Sequence, residues 1–361
     1  MSAIIGLQVR KNALIAAAGT GGHIFPGLAI AEALKLQGWS VVWLGTKTGM
    51  ENNLVPQKDI QFESIDFGGT RGKGIATWLL MPYRLLKATT ECAKIITKAK
   101  PDVVIGFGGY VSLPCGIAAK LLAKNLVIHE QNAVIGLSNK ILSYLTQYVF
   151  TAFPNVIGKA RIFGNPLRAE FINIDDPTKR FQNRIGPLRI LIIGGSLGAK
   201  FLNQIVPNAI QLLPEKNRPT ITHQSGANHF LELQDLYKDL NVKAQVTQFI
   251  ENTANAFADA DLIICRAGAI TVTEIAAVGA AAIFVPLPSA VDDHQTKNAM
   301  YLTEKNAGWL LPQNDLTARK LADEILKMDR STLLNMAIEA KKMHIPNTAA
   351  KIVDACEGLV L

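Results

Sequence analysis

The chain has 361 residues, 49% of them hydrophobic and 18% charged, with a formal net charge of +8. That length suits two domains of ordinary size, and the apolar content excludes an intrinsically disordered chain. The four cysteines, Cys92, Cys115, Cys265 and Cys356, include no C-x-x-C pair, which argues for a reducing compartment and against a disulfide framework or a zinc site. The positive excess is uneven: residues 1–164 carry a net +9 and residues 165–361 a net −1. The first half is therefore expected to face something anionic, namely a membrane, a nucleic acid or a polyphosphate ligand. No secretory signal is expected, because the basic pair Arg10-Lys11 precedes an apolar run too short for a signal core.

In chain order, the first predicted element is an apolar strand at 13–18, followed by Gly19-Thr20-Gly21-Gly22-His23 and a helical segment at 26–37. Strand, tight glycine turn and helix start make a nest of backbone N–H groups that attracts anions, reinforced by the helix dipole. His23 at its mouth adds an imidazole, the side chain suited to proton transfer near neutral pH. The loop is not the dinucleotide fingerprint, because Ile24 stands where its last glycine belongs, and the chain has no G-x-x-x-x-G-K-[ST] motif. As residue chemistry it reads either as an anion site beside a proton acceptor or as a structural turn.

Further short apolar runs follow at 41–44, 103–106, 126–128, 149–152, 189–193, 220–224, 246–249, 262–265 and 281–285, alternating with longer helical patterns. Such alternation predicts an α/β chain with parallel sheets covered on both faces. The strand at 189–193 opens onto Gly194-Gly195-Ser196-Leu197-Gly198 and a helix, echoing the start of the chain. Two such openings predict two Rossmann-like domains, joined near Gly164-Asn165-Pro166 and facing each other across a cleft. The long apolar stretch 275–291, broken by Gly279, Pro286 and Pro288, reads as a helix end and a buried strand rather than a membrane span.

Polar loops follow several predicted strands, at the end of the sheet where α/β proteins bind ligands. They are Gly106-Phe107-Gly108-Gly109-Tyr110, His129-Glu130-Gln131-Asn132, Cys265-Arg266-Ala267-Gly268-Ala269 and Asp292-Asp293-His294-Gln295. The second is a run able to hydrogen-bond hydroxyls and is not a zincin, since Ala133 breaks H-E-x-x-H. Asp259-Ala260-Asp261 has the D-x-D form, but it spans a helix end and a strand start and lacks neighbouring ligands, so no metal site is expected. Of the six histidines only His23, His129 and His294 fall in these loops. Between Arg71 and Lys100, basic residues interleave with Ile75, Trp78, Leu79, Tyr83 and other apolar side chains. That mixture, with Arg84 among the bases, fits an element lying on anionic lipid, set against a core-facing helix with a solvated basic face.

Read together, the loops resemble the MurG family of bacterial peptidoglycan glycosyltransferases, which add N-acetylglucosamine to lipid I. The segments that carry the resemblance are Gly19-Thr-Gly-Gly-His23, Leu44-Gly-Thr with Gly49-Met-Glu51, Arg71-Gly-Lys-Gly74, Gly108-Gly-Tyr-Val-Ser112, His129-Glu-Gln-Asn132, Gly164-Asn-Pro-Leu-Arg168, Gly194-Gly-Ser-Leu-Gly-Ala199, His223-Gln-Ser-Gly226, Cys265-Arg-Ala-Gly268 and His294-Gln295 with Asn298-Ala299. They occur in order along nearly the whole chain.

The resemblance implies the two-domain GT-B arrangement and inverting transfer from UDP-GlcNAc, with no cofactor required and a divalent cation not indicated. It divides the chain into an acceptor-binding, membrane-associated domain at 1–164, a donor-binding domain at 165–340, and a C-terminal helix at 341–361 packing back on the first. His23 becomes the candidate catalytic base. The donor residues it implies are Thr20, Gly21, Gly22, Asn132, Arg168, Ser196, Ile250, Ala269, Ile270, Thr271, Val272, Thr273, Glu274 and Gln295. Among these, Glu274 is to hold the ribose, the backbone near Ile250 the uracil, and Gln295 the sugar hydroxyls. Thr20 to Gly22 also border the acceptor, which Gly19, Gly108, Gly109 and Tyr110 are to bind. Ile75, Trp78, Leu79, Tyr83 and Arg84 face the membrane.

The implied partners are UDP-GlcNAc, lipid I and the anionic cytoplasmic face of the cell membrane, where the protein is peripheral. Ala18 stands where the family usually has glycine and Thr70 where it usually has leucine. Residue chemistry without the resemblance leaves open another UDP-sugar transferase, such as one acting on diacylglycerol. A UDP-sugar 2-epimerase, which would need more loop carboxylates than Glu274, and a non-catalytic binding protein also remain. Nucleic acid is not an expected partner, because the aromatics cluster at Trp78–Tyr83 instead of spreading as stacking platforms.

Overall fold

A computed structural model describes residues 11–69, 79–195 and 197–360. It divides into two compact units, one running to Leu167 and regaining the chain at Pro346–Leu361, the other Arg168–Ile345. In the first, β1 (Asn12–Ala16), β2 (Ser40–Thr46), β3 (Gln61–Ile65), β4 (Val103–Gly106), β5 (Asn125–Glu130), β6 (Tyr148–Thr151) and β7 (Arg161–Ile162) form one sheet. Its order is β3-β2-β1-β4-β5-β6-β7, with every pair parallel. In the second, β8 (Arg189–Ile193), β9 (Thr220–Gln224), β10 (Gln245–Thr247), β11 (Leu262–Cys265), β12 (Ala282–Phe284) and β13 (Trp309–Leu310) give the order β10-β9-β8-β11-β12-β13, again parallel throughout. Both are doubly wound sheets whose direction of winding reverses beside the first strand, between β1 and β4 and between β8 and β11.

The central strands are apolar on both faces because helices cover both. Along the first strand and the residues after it, Ala13, Ile15 and Ala17 enter one core, while Leu14, Ala16 and Ala18 enter the other, as the two-residue period requires. The outer strands β3, β7 and β13 escape the search for apolar runs, because an edge strand has one unpaired side and needs no such run, while the fourth outer strand, β10, overlaps the run predicted at 246–249. Gln61 and both residues of β7 are exposed. All four cysteines are buried and unpaired.

Three expectations need correction. The first helix is Gly21–Leu36, with Pro26 inside it, so it begins at the glycine loop and not at the proline. Pro26 tolerates this because its missing N–H affects only the Gly22 carbonyl, one turn back at the helix start. The division between units falls after Leu167, not after Gly164. Gly164 and Asn165 are tied into the first unit, where the Gly164 carbonyl meets His129 Nε2 at 2.8 Å and Asn165 Nδ2 donates to the Gln131 carbonyl at 3.2 Å. The return to the first unit begins at Pro346 rather than at residue 341. The helix Arg330–Lys342 belongs to the second unit, and the helix Thr348–Glu357 buries Ile352, Val353 and Cys356 in the first core.

Candidate active site

In the first unit the loops after β1 and β4 meet where the sheet changes direction. His23 lies in the first turn of its helix, which starts at Thr20 without a side-chain cap, as does the helix Gly109–Leu121 at Gly108. Uncapped first-turn N–H groups and the positive ends of two helix dipoles therefore lie beside one imidazole. The close approach depends on glycine: a Cβ on Gly109 (φ 74°) would stand 2.5 Å from the Ala18 carbonyl oxygen, and one on Gly108 would stand 3.2 Å from His23 Cε1. The Tyr110 ring lies beside Gly19 and Gly69. Gly19, Thr20, Gly21, Gly22, His23, Gly108, Gly109 and Tyr110 are thus brought together.

The run His129–Gln131 at the end of β5 turns inward, which corrects its reading as a set of groups offered to hydroxyls. His129, Glu130 and Gln131 are all buried. His129 Nε2 bonds the Gly164 carbonyl, and burial lowers its pKa to about 4 against the opposing pull of that bond. Gln131 Nε2 donates to His129 Nδ1 and to the His129 carbonyl, both at 3.1 Å, and its Oε1 lies 3.1 Å from His23 Nδ1. The Glu130 carboxylate accepts from the Asn132 backbone and side-chain amides, the Gly136 N–H and Asn139 Nδ2 at 2.9–3.2 Å, which fixes the following loop. Glu51, fully buried, accepts from Thr46 N and Oγ1 and reaches Gly19 N at 3.5 Å, bracing the glycine loop from beneath.

In the second unit the helix Ala269–Val278 follows β11 and also starts uncapped, at Gly268, as the helix Lys200–Gln211 does at Ala199. Asn252, Thr317 and Asp329 cap other helices of this unit, while the helices Phe230–Asp239 and His294–Thr303 likewise start without a side-chain cap. Ile270 and Thr271 are partly exposed, whereas Val272 and Thr273 are buried. The Thr273 hydroxyl bonds back to the Ala269 carbonyl at 3.0 Å, so neither of these two side chains is placed to grip a ligand. Burial pushes the Glu274 carboxyl up to about 7. Arg168 Nη2, 3.4 Å away, pulls in the other direction, and Glu170 adds to the rise. The loops after β8 and β9 touch backbone to backbone, with Gly198 (φ 77°) against the Ser225 carbonyl, where any side chain would collide.

Gln224 joins this loop to the next by donating to the Gly195 carbonyl and accepting from the Ile250 N–H, at 2.9 and 3.0 Å. The Ile250 N–H, expected to read a base, is therefore engaged within the protein. Gln295 Oε1 accepts from the Leu287 N–H at 3.0 Å. Arg266 bonds the Val285 and Pro286 carbonyls and Gln313, at 2.7–3.1 Å, and so shapes the turn before Gln295. His223 is buried and neutral, lowered to about 3 by burial and held by Tyr237 and Asn203. Asp261 of the D-x-D segment pairs with Arg184 and Arg330 at 2.6 and 3.1 Å and accepts from the Arg189 N–H at 2.9 Å, so its carboxylate is engaged within the protein. Among the described residues no group of three or more His, Cys, Asp or Glu is arranged to hold a metal. Ser196, Ile75 and Trp78 lie outside the described residues.

Sequence reasoning singled out the segments that hold Glu51, Gln131, Gln224 and Arg266 but gave these four residues no role in forming the site. The available signal was their position directly after a strand or within a glycine segment; their partners come from distant parts of the chain.

Comparison with known proteins gives a similar two-part division, except that the second matched region runs past Ile345 into the helix that returns to the first unit. Residues 13–151 match the glycosyltransferase family 28 N-terminal domain and residues 189–354 its C-terminal domain. The chain belongs to the MurG family, within glycosyltransferase family 28. A relative from Polaromonas sp. (strain JS666) is 55% identical over 354 residues, covering 97% of this chain and 92% of that protein. One from Cupriavidus necator is 49% identical over 349 residues, covering 97% and 98%. Both are named UDP-N-acetylglucosamine--N-acetylmuramyl-(pentapeptide) pyrophosphoryl-undecaprenol N-acetylglucosamine transferase. The crystal structure of Acinetobacter baumannii MurG superposes with a TM-score of 0.83 at 42% identity, covering 96% of this chain and 99% of that one. The chain is therefore a UDP-sugar glycosyltransferase, and the MurG family gives the uncapped helix starts a defined chemical context.

Proposed function

We propose that this MurG-family enzyme moves N-acetylglucosamine from UDP-GlcNAc to the 4-hydroxyl of the muramoyl sugar of lipid I, with inversion, giving lipid II and UDP. The observation that carries the mechanism is His23, held beside uncapped helix starts at the reversal point of the first sheet. The acceptor oxygen forms a bond to the anomeric carbon while the bond from that carbon to the diphosphate oxygen breaks. The hydroxyl proton passes to His23, and the electron pair leaves with UDP. Negative charge grows on the diphosphate as it departs, and the helix start at Ala269–Thr271 stabilises it. Ser196, Arg168 and Gln295 contribute on the donor side, with Glu274 receiving the ribose hydroxyls. Gly19, Gly108, Gly109 and Tyr110 bound the acceptor, to which Thr20, Gly21 and Gly22 present their N–H groups; Asn132 serves the donor sugar.

The lipid-linked acceptor requires access to a membrane. Among the described residues no helix is long and apolar enough to cross one. Leu79, Leu80, Tyr83 and Leu86 are instead exposed at the start of the helix Met81–Ala99, beside Arg84 and Lys87. We read this surface as resting on the anionic cytoplasmic face of the cell membrane.

The deciding experiment supplies labelled UDP-GlcNAc with either lipid I or diacylglycerol and follows the label into organic extract. Label on lipid I alone is expected; transfer to neither acceptor would overturn the assignment. His23→Ala should lower turnover by about 10²-fold or more with donor affinity kept. Near-normal turnover of that variant would remove His23 as the base.

A further inference from the structure

His23 is joined to a chain of hydrogen bonds whose proton positions the geometry determines. The chain ends on the Gly164 carbonyl, which can only accept. His129 Nε2, 2.8 Å away, must therefore carry its proton, and burial keeps this ring neutral. His129 Nδ1 is then a bare lone pair, so the Gln131 atom 3.1 Å from it must be the amide nitrogen. That nitrogen also meets the His129 carbonyl at 3.1 Å, a contact that would be repulsive with the amide reversed. The amide oxygen is thus turned to His23 Nδ1 at 3.1 Å, and it too can only accept.

We propose that Gln131 and His129 are positioning residues that hold neutral His23 in its Nδ1–H form, so that Nε2 presents the lone pair. A neutral imidazole free in water favours the opposite tautomer, which would put a proton where the base needs a vacancy. The relay makes the competent form the ground state before substrate arrives. It also fixes the ring plane, which a lone hydrogen-bonding partner in solvent would not. At its terminus Gly164, whose carbonyl meets His129 Nε2, has φ 88°, a left-handed conformation that a side chain would strain. The proposal rests on His23 being the base, and its test separates the two ideas.

The enzyme is labelled with 15N-histidine and its ring nitrogens are followed by NMR under alkaline conditions, with His23→Ala and His129→Ala used for assignment. His23 should give the Nδ1–H pattern and His129 the reverse. Gln131→Met, which keeps the length of the side chain and removes both polar atoms, should shift His23 towards Nε2–H. It should lower kcat about tenfold or more while leaving the KM for UDP-GlcNAc unchanged. A wild-type His23 ring in the Nε2–H form, or full kcat in Gln131→Met, would overturn the relay. The wild-type spectrum needs no substitution, so it decides the matter even where Gln131→Met is unstable. Normal turnover in His23→Ala would instead remove the base role, and with it the catalytic meaning of the relay.

Discussion

The Glu274 carboxyl is a group whose surroundings make its charge costly, and the cost has a direction. It is buried, and its pKa rises from 4.5 to about 7 although Arg168 sits at 3.4 Å. Between those values the folded chain keeps a proton that the unfolded chain has released, so this group makes stability fall as pH rises from 4.5 to about 7. At about 1.4 kcal/mol per pKa unit the whole effect is roughly 3 kcal/mol. Glu274→Gln removes the titration, so its melting temperature should gain on wild type as pH rises across that window and level off above it. A difference that stays flat with pH would disprove the burial argument. The same variant should raise the KM for UDP-GlcNAc, because a ribose diol donates better to a carboxylate than to an amide.

At the scale of elements, the recurring unit is a strand, a glycine turn and a helix that begins without a side-chain cap. The unit is costly, since orphan N–H groups are left at the helix start, and in the function proposed above those groups are the ones that hold diphosphate. A different element, the start of the helix Met81–Ala99, exposes Leu79 at 77% and Tyr83 at 67%. Large apolar side chains in water cost at least about 1.5 kcal/mol each relative to burial. Replacing Leu79, Tyr83 and Leu86 together by serine should weaken sedimentation with vesicles rich in anionic lipid by at least about tenfold, with soluble UDP-GlcNAc binding unaffected. Unchanged sedimentation would place the membrane contact elsewhere.

At the scale of the whole molecule, the chain leaves its first unit at Leu167 and returns at Pro346 to complete it. The last helix is structural to that unit: Ile352 is fully buried, Trp39 Nε1 reaches Glu357 at 3.4 Å, and Asn125 Nδ2 bonds the Leu359 carbonyl at 3.0 Å. Ile352→Ala, some 190 residues beyond the rest of that core in sequence, should therefore cost about 2–5 kcal/mol. The loss should appear in the unfolding of the first unit, read by exchange of amides in β1 and β4, while those in β8 and β11 keep their protection. Equal loss of protection in both sheets would contradict two independent cores. Buried neutral His129 and His223, one in each unit, add a shared acid limit: below about pH 6.5 each unit loses stability as the unfolded chain takes up a proton that the folded one resists.

The sequence by itself determined the class of fold, because a strand buried on both faces must be apolar throughout, and ten such runs alternate with helices. It also marked the strand ends, through the glycine turns and polar loops after those runs, as the expected place for chemistry, and the MurG resemblance named His23 and Glu274 in the segments that follow them. Of the edge strands, β3, β7 and β13 were illegible because a half-exposed strand needs no distinctive residues, whereas β10 carried the apolar run 246–249. The inward turn of His129, Glu130 and Gln131 was illegible for another reason. A polar side chain at a strand end can face ligand or protein equally well, and only the partners decide. Those partners, the Gly164 carbonyl for His129 and His23 for Gln131, lie 35 and 108 residues away in sequence. Hydrogen bonds over such separations are set by the packing of the sheet, so tertiary structure alone decided that His129 is locked onto the Gly164 carbonyl and that Gln131 turns its amide to His23.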